Sequence, residues 1–128
     1  MEEPSSQVVR TYVADVLNRG DAEVAKGLIA DETLGQRMAA FRLAFPDLHV
    51  ATDEWLAEGE LVAGHFTGTG THLGVFQGCP ATGRRWRASC TAIYRVREGQ
   101  IVDSRANWDL LGLLEQLGCV RRVATVSA

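Results

Sequence analysis

Apolar residues fall at Val8, Val9, Tyr12, Val13, Val16 and Leu17, an i, i+1, i+4, i+5 repeat that places one stripe along a helix. Ser5 or Ser6 can cap its start, and Asn18-Arg19-Gly20 ends it with a residue suited to the left-handed conformation. Asp21 is the expected cap of a short second helix carrying Val24, Leu28 and Ile29. A third helix is predicted from about Leu34 to Phe45, with Met38, Phe41, Leu43 and Phe45 as its apolar contacts. Pro46 closes it, because proline removes a donor and disfavours helix in the residue before it. Beyond Asp47 the period shortens to that of strands. Leu48 to Ala57 and Leu61 to Gly70 flank Glu58-Gly59-Glu60 as a hairpin, and Gly70 to Gly83 reads as a long loop. Trp86 to Val96 and Gln100 to Trp108 form a second hairpin around Glu98-Gly99. Asp109 should cap a last helix, Leu110 to Leu117, ending at Gly118. Three helices followed by an antiparallel meander give an α+β class, in which a curved sheet closed on one side by helices makes a cone with a ligand site at its open end.

The 128 residues suit one domain, 1–128, with residues 1–4 and 121–128 expected to fray. A net charge of −3 gives no reason to expect nucleic acid or an anionic membrane as partner. The one basic cluster, Arg84, Arg85 and Arg87 around Trp86, suits a strand edge protected against pairing. Met1 to Ser6 is polar and acidic, and no apolar run approaches ~18 residues. Cys79, Cys90 and Cys119 are odd in number and lack metal spacing, and His49, His65 and His72 are scattered. These features predict a cytoplasmic protein with three free thiols, no metal and no organic cofactor.

Eight segments carry a family resemblance. They are Leu17-Asn18-Arg19-Gly20-Asp21, Ala44-Phe45-Pro46-Asp47-Leu48, Ala57-Glu58-Gly59 and Gly70-Thr71-His72-Leu73-Gly74, followed by Pro80-Ala81-Thr82-Gly83-Arg84, Tyr94-Arg95-Val96, Gly99-Gln100-Ile101-Val102 and the close from Asp109 to Gly118. In this order they resemble the SnoaL-like polyketide cyclases of the nuclear-transport-factor-2-like superfamily. The resemblance implies the cone fold, a homodimer joined through the sheet, and a buried pocket for a hydrophobic small molecule. It also implies a His-x-Asp pair on the last strand, where the carboxylate removes a proton beside a carbonyl and the histidine holds the developing enolate. Those places fall here on Ser104 and Ala106, and the neighbouring polar positions on Cys90 and Ala92. The family's acid–base apparatus is missing.

Strand alternation puts Ala88, Cys90, Ala92, Val102, Ser104 and Ala106 on the concave face as a wall of small groups. They either give space to a bulky substrate or let the helices come close, and a one-residue bulge would exchange the faces. Trp55, Trp86 and Trp108 can stack on a ligand or anchor the core. His65 can act as an acid, a base or a polarising donor if it faces inward, and otherwise marks the convex face. Asp53 and Glu54, taken to stand on opposite faces of one strand, offer at most one replacement carboxylate. Tyr94 can donate its phenol to a substrate oxygen. Cys90 has no visible group to stabilise a thiolate and is expected to fill space. Ser104 lacks a base and is expected to contribute little chemistry. His72 is expected to shape its loop. The leading expectation is a tailoring enzyme acting on a polyketide- or terpenoid-like intermediate by ring closure, isomerisation or cycloaddition, through confinement and hydrogen bonding. The alternatives are a non-catalytic binding protein and a hydroxylation-associated relative.

Overall fold

The structure, a computed structural model, describes residues 3–121 and 123. Helix α1 (Pro4–Thr11) runs directly into a π-helical segment (Tyr12–Leu17). The apolar repeat has a period of four, which drifts by about 40° per turn on a 3.6-residue helix. The widened π turns take up that drift, and Tyr12, Val13, Val16 and Leu17 are all buried. Neither serine caps the start. Pro4 occupies the first helical position rather than a frayed end, Glu3 stands at the cap, and Ser5 and Ser6 are buried inside the helix. The rest of the expected fraying lies mostly outside the described residues.

Asp21 and Asp31 each accept hydrogen bonds from two backbone amides, starting α2 (Ala22–Leu28) and α3 (Glu32–Ala44). Leu34, Met38, Phe41 and Phe45 form the inward line of α3 and its end. Leu43 falls off that line and is 78% exposed, contrary to its expected core role. Arg42 ties these ends together, donating to the carbonyls of Leu17 and Pro46.

Four antiparallel strands follow in spatial order β1 (His49–Glu58), β2 (Leu61–Thr71), β3 (Arg85–Arg97) and β4 (Gln100–Trp108). The sheet is open. Helix α4 (Leu110–Leu117) starts at Asp109, whose side chain accepts from Gly112 N, and ends at left-handed Gly118. The Asn18 amide exchanges two hydrogen bonds with the Val50 backbone, fixing the end of the first helix to β1. On the other edge, Ala30 N donates to Ile101 O beside a parallel bridge from Ile29, partly covering β4.

Two bulges decide the faces. One lies between Thr52 and Glu54, leaving Asp53 unpaired, and one sets Arg95 opposite Asp103 but Val96 opposite Ile101. The second skips Val102, so the fully buried Ile101 takes the concave position expected of Val102. Ser104 and Ala106 keep theirs, opposite Tyr94 and Ala92.

Glycines on the concave face of β2 lie under aromatic rings. A Cβ at Gly68 would come within 2.7 Å of the Trp108 indole, one at Gly64 within 2.5 Å of Phe66, and one at Gly70 within 3.1 Å of Trp86. Trp108 therefore reaches from β4 across Cys90 to β2, and Ala88 lies buried beneath this layer. Phe41 of α3 stacks on Trp108 with centroids 5.3 Å apart and meets Trp86 edge-on at 6.0 Å.

The connection between β2 and β3 is held at several points. Leu73 N and Gly74 N both donate to Ala44 O. Fully buried His72 receives a hydrogen bond from Thr82 N at Nδ1, which also lies 2.9 Å from Thr82 Oγ1. Cys79 and Cys119 are joined in a disulfide across 40 positions, which corrects the expectation of three free thiols. Only Cys90 is free, because the loop folds back onto the end of α4, a proximity invisible in cysteine spacing. The thiol count therefore no longer argues for a reducing compartment. Closure of such a loop is worth about 4 kcal/mol in the chain-entropy account. No helix among the described residues is long and apolar enough to cross a membrane.

The same substitution should have opposite effects at two glycines. Gly68→Ala drives a Cβ into Trp108 and should destabilise by about 1–3 kcal/mol. Gly35→Ala, inside α3 with nothing within 4 Å, should stabilise by about 0.5–1 kcal/mol. Urea midpoints at unchanged slope measure both; a neutral Gly68→Ala would contradict the packing described.

Candidate functional site

A cavity of about 610 Å³ opens between the helices and the concave face, within the range usual for small-molecule sites. Tyr12 and Leu17 reach it from the first helix, and Leu34, Arg37, Met38 and Phe41 from α3. Val50 and Phe66 come from β1 and β2, Cys90 and Tyr94 from β3, and Ser104, Ala106, Asn107 and Trp108 from β4. The β2–β3 loop adds Val75, Phe76 and Gln77, and α4 adds Leu110 and Leu113.

The small-residue wall thus divides. Cys90, Ser104 and Ala106 line the cavity, whereas Ala88 and Ala92 are buried under neighbouring side chains. The tryptophans divide as well. Trp108 lines the cavity, Trp86 stands behind it at 6.1 Å in an edge-on contact, and Trp55 lies beneath the Arg10 guanidinium, 4.1 Å from its ring centroid.

His65 and Asp53 do come together, but away from the cavity. His65 Nδ1 lies 2.9 Å from Asp53 Oδ2, which also accepts from Thr67 Oγ1 at 2.7 Å. Both side chains stand on the solvent face. His65 alternates with buried Phe66, and the bulge at Asp53 turns that carboxylate toward Thr67. Glu54 pairs directly with His65, so it shares their face instead of opposing Asp53. The Thr67 hydroxyl above all, working with His65 against a desolvation that raises it, holds the Asp53 carboxyl below the usual range. His65 and Asp53 therefore replace no member of the missing pair inside the pocket.

The cavity's own polar groups are of another kind. Tyr12 and Tyr94 meet edge to face at 5.5 Å, and burial pushes both phenols well above their ordinary range. The Arg37 guanidinium lies close enough to oppose part of that rise at Tyr12. Burial also pushes the Cys90 thiol up to about 11, so near neutral pH it is a thiol and not a nucleophile. The Ser104 hydroxyl oxygen is buried without a hydrogen-bond partner at the cavity wall. No Asp, Glu or His is among the residues lining the cavity. No group of three or more His, Cys, Asp and Glu among the described residues could hold a metal ion. What the arrangement offers is an apolar chamber with the Tyr94 and Tyr12 phenols as neutral donors and the Ser104 hydroxyl sealed in its wall.

Sequence reading missed Tyr12, Arg37, Phe41 and the loop residues as lining groups. Tyr12 was visible only as one member of an apolar stripe. For Val75, Phe76 and Gln77, no periodicity marks a loop that folds over a distant pocket.

Comparison with known proteins agrees with this geometry. The sequence model of the SnoaL-like polyketide cyclases matches residues 6–117. Aklanonic acid methyl ester cyclase DnrD of Streptomyces peucetius is 31% identical over 105 residues, which are 81% of this chain and 72% of that protein. Among solved structures, IdmH of Streptomyces antibioticus, a candidate polyketide cyclase, is 27% identical with a TM-score of 0.77, covering 91% of this chain and 99% of that one. AclR of Streptomyces galilaeus, a candidate hydroxylase, is 26% identical with a TM-score of 0.79, covering 94% and 84%. The chain belongs to the SnoaL-like polyketide cyclase family.

Proposed function

We propose that this protein is a polyketide-tailoring cyclase that closes or isomerises a polycyclic intermediate by confinement and hydrogen-bond polarisation. The observation that carries the reading is the cavity itself. It is large enough for a fused-ring substrate, floored by the Phe41–Trp108 stack, and lined by phenol and hydroxyl donors with no carboxylate or imidazole. In a ring closure of aldol type, the proton released at the attacking carbon passes to water and water returns one to the carbonyl oxygen that becomes the alcohol. Tyr94 would donate to that oxygen as negative charge develops there, and its raised pKa keeps its own proton in place. Ser104, whose oxygen has no protein partner, would make a second contact only by turning its hydroxyl out of the wall, where it has almost no accessible surface. Holding the reacting ends in near-attack geometry supplies the remainder, on the order of 7–11 kcal/mol where orientation is good.

The lack of an acid–base side chain favours one rival, a binding protein that retains the pocket without turnover. The candidate hydroxylase among the similar structures supports only a family-level kinship with oxygenation chemistry. Turnover separates the first two. With aklanonic acid methyl ester, the compound for which a relative is named, as trial substrate, Ala106→Phe should remove binding and conversion together by filling the cavity. Tyr94→Phe should lower kcat on the order of 100-fold at nearly unchanged KM. Full activity in Tyr94→Phe would exclude the assigned donor, and tight binding without any conversion by the native protein would favour the binding protein.

The protein is also proposed to act as a homodimer joined through the convex face of the sheet. Leu56, Ala63 and Ile93 form a row across three strands there, with Leu56 78% and Ile93 46% exposed. Sedimentation at tens of micromolar should give a dimer that Ile93→Glu converts to monomer; a native monomer at that concentration would contradict it.

A further inference from the structure

Arg37 is the one charged residue among those lining the cavity. It projects from α3, is itself exposed, and stands at the mouth, near enough to Tyr12 for its charge to act on that phenol. Other arginines of the fold are engaged. Arg42 binds two carbonyls, Arg95 and Arg97 share Glu60, Arg105 lies near Asp103, and Arg10 covers Trp55. Arg37 has neither an ion pair nor a hydrogen bond with any described residue.

We propose that Arg37 is a specificity-determining residue that makes the cavity select polycyclic ligands bearing an oxygen anion, a carboxylate or an ionised phenol or enol, over their neutral analogues. The proposal rests on the cavity being a site for fused-ring compounds. A guanidinium stays charged at every working pH and presents a planar fork of donors suited to such an anion. The adjoining wall is apolar and offers it no carboxylate, so its field reaches the cavity uncancelled. A bound ring system that covers Arg37 strips water from it. An anion replaces the lost hydration, whereas a neutral group leaves a partly desolvated cation without a partner. Selectivity therefore comes from attraction and from penalty together. The Streptomyces peucetius relative is named for a methyl ester, the uncharged form of such an acid group; the unpaired cation here argues that this chain takes the charged form.

The test uses the folded native protein and matched probes, anthraquinone-2-carboxylate and anthraquinone-2-carboxamide, with binding followed by quenching of tryptophan fluorescence. The carboxylate should bind at least about tenfold more tightly than the amide. Arg37→Gln should remove that preference while the amide still binds, Arg37→Lys should keep part of it, and Arg105→Gln, on the opposite face, should keep all of it. 2-Hydroxyanthraquinone, ionised at pH 9, extends the comparison: tightening with both anions assigns oxyanions generally, and tightening with the carboxylate alone assigns an acid. Equal affinity for the carboxylate and the amide, or a preference that survives in Arg37→Gln, would overturn the role of Arg37 and leave the pocket reading intact. Failure of the native protein to bind any of the anthraquinones would overturn both.

Discussion

The contact between the Trp108 indole and Gly68 governs the interior of this protein. A side chain at Gly68 would push the indole off the sheet, and Phe41 would lose its stacking partner. Trp86 and Phe45 lie against Gly70 in the same way, completing a layer of rings on a strip of β2 that carries no side chains. The layer has two sides. Its lower side fills the space between strand and helix at interior density, and its upper side, formed by Phe41 and Trp108, is the floor of the cavity. Stability and binding surface are thus consequences of one packing arrangement.

The opposite wall is built from pieces distant in sequence. Phe76 and Cys79 exchange backbone hydrogen bonds, Cys79 is joined to Cys119 beyond α4, and the Phe76 ring meets Phe41 at 5.7 Å. The chain of contacts from disulfide to loop to aromatic floor, with Phe76 packed on buried Phe45 at 4.9 Å, gives the cavity a fixed roof. Such rigidity suits a site that acts by shape, since confinement is effective only if the walls do not yield.

Local signals made much of the fold legible. Asp21 and Asp109 cap the helices expected of them, Gln100–Trp108 is the last strand as read, and Gly118 takes the left-handed turn. The inward positions of Cys90, Ser104 and Ala106 followed from alternation. Asp53, Glu54, Val102 and His65 mark the boundary of that method. Bulges move the first three off the simple period, because an extra residue in one strand is registered only by its partner strand. For His65 alternation allowed either face, and the packing of Phe66 decides it. The Cys79–Cys119 bond and the lining role of Phe76 depend on a loop returning to a helix far away in sequence, a tertiary event with no periodic trace. The period-four stripe at Val8–Leu17 did carry the π segment, but as a small departure from 3.6 that reads at first as an ordinary helix.

Without carboxylate or imidazole at its wall, a cavity that works by confinement and by un-ionised phenols should turn over at a rate insensitive to pH through neutrality. The phenols titrate far above that range and the Cys90 thiol only near 11. The pH dependence of kcat for ring closure of a polyketide substrate between pH 5 and 9, measured beside the uncatalysed reaction, tests this directly. The account predicts a flat profile once the substrate's own ionisation is divided out; a limb in that range owed to the protein would mean that an acid or base takes part after all.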